Sequence, residues 1–64
     1  MTSADKLTAL FSDFAKWETY AAAFNMVDAG ECRIIDVQDA AHAIGIAPSV
    51  VAMRRHDFRK MTPA

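Results

Sequence analysis

The chain predicts an all-α domain, and three observations predict it. From Ser3 to Val27 there is neither proline nor glycine, and apolar residues recur at helical spacing. Two glycines, Gly30 and Gly45, then stand where helices would stop. Pro48 follows at a place that suits the first residue of a last helix, where a missing N–H costs nothing. With 64 residues there is room for one small helical domain over residues 1–64.

The first element begins with Thr2 and Asp5 as a capping box, or with Ser3 as a direct cap. Leu7, Leu10, Phe14, Trp17, Ala21 and Phe24 fall at alternating three-four spacing, the seam of a helix packed on another helix. Phe11, Tyr20, Ala23 and Val27 widen that stripe. A stripe so broad can face the domain on one flank and a second chain on the other. Leu7, Leu10, Phe14, Trp17 and Phe24 are therefore the expected dimer or partner interface. The segment is one long helix, or two joined near Lys16–Glu18.

Gly30 ends this element through a left-handed residue. Cys32 to Ile35 reads as a very short strand or an extended linker. Asp36 caps the next helix, and Asp39 places a second negative charge in its first turn, where the helix dipole favours it. Val37, Ala40, Ala41 and Ile44 form the buried face, and Gly45 ends the helix. The last helix starts at Pro48, runs through Val51, Met53 and Phe58, and stops before Thr62-Pro63.

Composition narrows the function classes. The formal net charge is -1, which argues against a generally basic nucleic-acid binder. The charge is unevenly placed, however. Residues 1–31 carry Asp5, Asp13, Glu18, Asp28 and Glu31 against Lys6 and Lys16, whereas the tail from Pro48 carries Arg54, Arg55, Arg59 and Lys60 against Asp57. An anionic partner would meet the C-terminal third. Apolar residues make up 53% of the chain, and a domain this small has a core too small to hide them all. A homodimer or a larger protein complex is the expectation. Cys32 is the sole cysteine, so no internal disulfide forms. No apolar run reaches the length of a membrane span and no signal-peptide pattern opens the chain, so the expected location is cytoplasmic, or nuclear in a eukaryotic host.

The stretch "DAAHAIGIAPSVV" resembles the helix-turn-helix of bacterial and phage transcription regulators, whose motif often reads A-A-x-x-L-G-I-S-P-S-x-V. Two helices meeting at a steep angle need a small residue inside the corner, a left-handed residue in the turn and a β-branched plug on the second helix. Ala41, Gly45 and Val51 stand in those three roles. The resemblance implies a helix-turn-helix over residues 36–60, with its second helix in the major groove of double-stranded DNA. It directs Pro48, Ser49, Ala52, Met53 and His56 toward base edges. It lets Arg55, Arg59 and Lys60 reach phosphates, and Gln38 and His42 touch the backbone from the preceding helix. The leading positions lack arginine, asparagine and glutamine, the strong bidentate base readers. Arg54 falls where the motif is apolar and faces the core, so it must reach outward or pair with Asp57 or Asp36.

The overlapping stretch "YAAAFNMVDAGECRIIDVQD" resembles the entering helix and loop of a degenerate EF-hand, as in calmodulin and myosin light chains. Tyr20, Ala23, Phe24 and Val27 match the helix; Asp28, Ile35 and Asp39 match the first, central and last loop positions. A calcium loop needs oxygen ligands at its third and fifth positions and glycine at its sixth. Gly30, Cys32 and Arg33 stand there instead, so the resemblance implies a hand that binds no calcium.

Cys32, His42 and His56 are metal-ligand types, but their spacing matches no structural zinc pattern, and Cys32 reads as a small buried apolar group. No nucleophile, base and orienting acid form a pattern. The expectation is a protein without catalysis, metal or cofactor: a DNA-binding regulator acting as a dimer, or a protein-interaction module such as a helical adaptor, an inhibitor or a calcium-free light-chain-like element.

Overall fold

A computed structural model describes residues 3–12 and 15–61. It has four helices, α1 (Ser3–Leu10), α2 (Trp17–Asp28), α3 (Ile34–His42) and α4 (Pro48–Met61), and no strand among the described residues. The N-terminal half is thus two helices. Cys32 and Arg33 lie in the α2–α3 connection, and Ile34 and Ile35 are already helical, so the short strand expected there does not form.

The break between α1 and α2 has a packing reason. Along one continuous helix, Phe11 and Tyr20 would stand about 13.5 Å apart. With the rod folded back, their rings meet edge-on at 5.8 Å. The buried set is Leu7, Phe11, Tyr20, Ala23 and Phe24, joined by Val37, Ala41, Val51 and Phe58 from the rest of the chain. Leu7 and Phe24 of the expected seam are thus joined in the core by Phe11, Tyr20 and Ala23 from the flank that seemed only to widen the stripe. Leu10 and Ala21 are half-buried, and Trp17 is 36% exposed. The expected place of Phe14, like the Thr2 cap and the stop at Thr62-Pro63, lies outside the described residues.

The helix ends follow local chemistry. Lys16 is extended, and its N–H donates to Thr19 Oγ1 at 3.4 Å to open α2. At the other end Gly30 N–H donates to Val27 C=O and Glu31 N–H to Met26 C=O, a Schellman arrangement that needs the positive φ of Gly30, 77°. The third helix starts earlier than expected. Arg33 is the capping residue, and its N–H donates to Asp36 Oδ2 at 2.8 Å. Asp36 is thus a first-turn residue that reaches back to the cap, with Ile34 half-buried against the core and Ile35 exposed in the same turn.

In order of contact, α1 packs on α2 and α3, while α4 packs on the same two helices. Described residues of α1 and α4 do not meet. The accessible surface, 4258 Å², is close to the roughly 4,000 Å² that scaling gives a folded monomer of this mass. The single chain hides about as much surface as a free-standing domain of its size.

Candidate functional site

The fourth helix carries the residues singled out by the sequence, and it has two distinct faces. Its inner seam is Val51, Arg54, Arg55 and Phe58, at three-four spacing. The ends of that seam are buried and apolar, and the middle is two arginines. Across it stand Tyr20 and Phe24, one turn apart on α2 and stacked at 6.2 Å. The Arg54 guanidinium lies 5.9 Å from the centre of the Tyr20 ring. The Arg55 guanidinium lies 5.5 Å from Phe24 and 5.9 Å from Phe58, whose rings are themselves 5.4 Å apart. A guanidinium over an aromatic face is attracted by the ring quadrupole while its methylenes pack like an aliphatic chain. This is how a core seam accepts two cations.

Arg55 is also tied to the end of α2. Its Nη2 donates to Asp28 Oδ1 at 2.7 Å. Asp28 sits at a helix C-terminus, where the dipole disfavours a carboxylate, and the guanidinium offsets that cost. The expected pairing of Arg54 with Asp57 or Asp36 is not made; Arg54 takes the ring instead. Arg55, expected to reach outward toward phosphate, has its side chain 19% exposed and directed into the protein.

The outer face is the remainder. Pro48, Ser49, Ala52, Met53, His56, Arg59 and Lys60 are all exposed, Met53 to 51%. His42 is exposed in the last turn of α3, and Gln38 is half-buried. In the α3–α4 turn, Ala41 and Val51 are fully buried at 0% exposure. Gly45 has φ 87°, with its N–H on His42 C=O and that of Ile46 on Ala41 C=O. The α4 start relies on Ala47, whose C=O accepts from Val50 and Val51 but whose side chain has no acceptor to offer.

The expected interface residues separate. Leu7 and Phe24 are spent inside the single chain at 1% and 0% exposure and have no surface left for a second. Leu10 keeps part of its surface, and Trp17 keeps more, its ring 6.4 Å from Phe58. Asp28 to Asp39 do not form one loop: Asp28 ends α2, residues 29–33 connect, and Ile34 to Asp39 are helical. Among the described residues no three His, Cys, Asp or Glu side chains gather as a metal site would need. None of the described helices is long and apolar enough to cross a membrane.

Two features escaped the sequence reading. One is the Asp28–Arg55 link, joining residues 27 apart. The other is a shallow groove of about 270 Å³ between α1 and α3, lined by Ala4, Leu7, Thr8, Asp36, Asp39, Ala40 and Ala43. Apolar periodicity marks what faces inward, and it carries no signal for a cation in the seam or for a gap between two outer surfaces. Cys32 is half-buried beside Asp36 and Glu31; burial first, and then those two carboxylates, push its thiol pKa up.

No family model matches the chain, and no curated protein or solved structure does.

Proposed function

We propose that the chain is a small DNA-binding module without catalysis, in which α3 and α4 act as a helix-turn-helix and the outer face of α4 enters the major groove. The observation that carries this reading is the α3–α4 turn. A small buried residue, a positive-φ glycine and a buried β-branched residue stand at Ala41, Gly45 and Val51. The following helix keeps a continuous exposed face from Pro48 to Lys60. Arg59 and Lys60 are the cations on that face with outward reach, so each protomer neutralises few phosphates and binds weakly alone. A dimer presenting two α4 helices to neighbouring grooves compensates, and among the described residues of the expected interface Trp17 has most surface to offer it.

Fluorescence anisotropy with mixed-sequence duplex DNA, at low and moderate salt, tests the reading. Binding that weakens as salt rises is expected, since phosphate contacts release counterions. No binding even at low salt rejects it.

A second reading is a protein-interaction module. The fixation of Arg55 against Asp28 favours it, because a phosphate binder gains nothing from a cation turned inward. Exposed Ile35, Met53 and Met61 favour it too, as apolar contacts for another protein. Duplex binding with a steep salt dependence would count against this alternative.

A further inference from the structure

We infer that the outer face of α4 distinguishes bases by the C5-methyl group of pyrimidines rather than by hydrogen-bond pattern. The inference rests on the DNA reading above and adds a ligand chemistry to it. Exposed positions around the helix start and its first two turns are Ala47, Pro48, Ser49, Ala52, Met53 and His56. Four of these six are apolar, and none is an arginine, asparagine or glutamine. The two arginines nearest this face are directed away from it, Arg54 over Tyr20 and Arg55 over Phe24 and Phe58.

Each base pair offers the major groove donors and acceptors, and only thymine among the common bases offers a methyl group. An alanine and a long, adaptable methionine one residue apart can bury that methyl but cannot accept or donate a bidentate pair. Met53 is 51% exposed in the free chain, so its apolar surface is available to be covered. Ser49 and His56 flank the apolar pair and can hydrogen-bond to bases or phosphate. They contribute affinity and orientation, while discrimination falls to Ala52 and Met53. The same surface does not separate thymine from 5-methylcytosine by the methyl itself, so methylated cytosine is a second ligand of the same chemistry.

The test uses the full chain and four short duplexes at low salt. One is rich in A·T pairs, and its twin carries deoxyuridine in place of thymidine. The third is rich in G·C pairs, and its twin carries 5-methylcytosine. Each methyl that becomes fully buried should tighten binding about fourfold. The thymine duplex should therefore bind more tightly than the uracil one, and the methylated duplex more tightly than its parent. Met53→Ala should shrink both ratios, by weakening binding to the thymine and 5-methylcytosine duplexes more than to their methyl-free twins. Equal binding to both members of each pair overturns the methyl inference and leaves DNA binding standing. Failure to bind any of the four overturns both.

Discussion

Arg55 of α4 and Asp28, the last residue of α2, meet at 2.7 Å, while the other terminal nitrogen of the same guanidinium, Nη1, is buried without a partner. The cation is therefore held by one carboxylate and two aromatic faces. Asp28 is 51% exposed, so solvent screens its side of the pair, and the larger cost falls on the arginine if the pair is broken. Asp28→Ala should destabilise the chain by about 1–2 kcal/mol. Arg55→Met keeps the packing and removes the charge, and should cost less than about 1 kcal/mol. Urea unfolding of both variants checks the order, and a larger loss for Arg55→Met would show that the ion pair is not what matters.

If the proposed DNA contact is made, the inward use of Arg55 also predicts how affinity responds to salt. Arg59→Gln and Lys60→Gln should each flatten the plot of log affinity against log salt by about 0.9. Arg55→Met should leave the slope unchanged. Equal flattening by Arg55→Met would mean that the guanidinium leaves Asp28 on binding.

The α4 start is under-capped. Ala47 holds the position where the resembled motif has serine, and its neighbour Pro48 already fixes the first helical residue. Ala47→Ser should stabilise the chain by about 0.5–1 kcal/mol through a side-chain oxygen that accepts from the N–H of Ser49 or shares that of Val50. A thermal melt checks it: no rise in Tm would mean that another group already satisfies those donors.

Gly45 adopts φ 87°, and beyond its two chain neighbours no heavy atom lies within 4 Å of where a side-chain carbon would stand. Gly45→Ala should therefore cost only the backbone penalty, about 1–2 kcal/mol. Gly45→Asn should cost less, because asparagine tolerates the left-handed region better. Denaturant unfolding of the pair measures both, and a loss for alanine well above that range would point to steric crowding in the turn.

Cys32 should be a slow thiol at neutral pH. Its pKa is raised, so less of it is thiolate than for a free cysteine, and the thiolate is the nucleophile. Alkylation by iodoacetamide should be slower in the folded chain than after unfolding in urea. The linkage sign follows from the same direction: the folded state holds the thiol proton more tightly. The associated stability is fully present below the unfolded thiol's pKa and is lost as pH rises through the folded one. Faster alkylation when folded contradicts both statements.

Some of this fold was readable from residue types alone. The stops at Gly30 and Gly45 and the start at Pro48 are local backbone chemistry, and local chemistry survives folding. The core face of the first half was harder. Leu10, Trp17 and Ala21 share a helical stripe with Leu7 and Phe24, yet Phe11, Tyr20 and Ala23 take the inside, because the rod folds back near Lys16. Periodicity in a broad apolar stripe does not say which flank meets another helix. Asp36 was recognised as a helix-start residue, but its role as the carboxylate that reaches back to Arg33 depends on Ile34 and Ile35 being helical. At the candidate site the outer face of α4 was legible, since it is what remains once Val51 and Phe58 are placed. The fate of Arg54 and Arg55 was not, because it is decided by rings 30 or more residues away, at Tyr20 and Phe24.

The separation of α1 from α4 has a practical side. The first helix touches the last only through α2 and α3, so a reporter dye on the outside of α1, at exposed Ala9, senses the integrity of that middle pair. A dye at exposed His56 stands on the outer face of α4, the face proposed to enter the groove. Two labels on one small chain thus give independent readouts, one of unfolding and one of the proposed DNA contact.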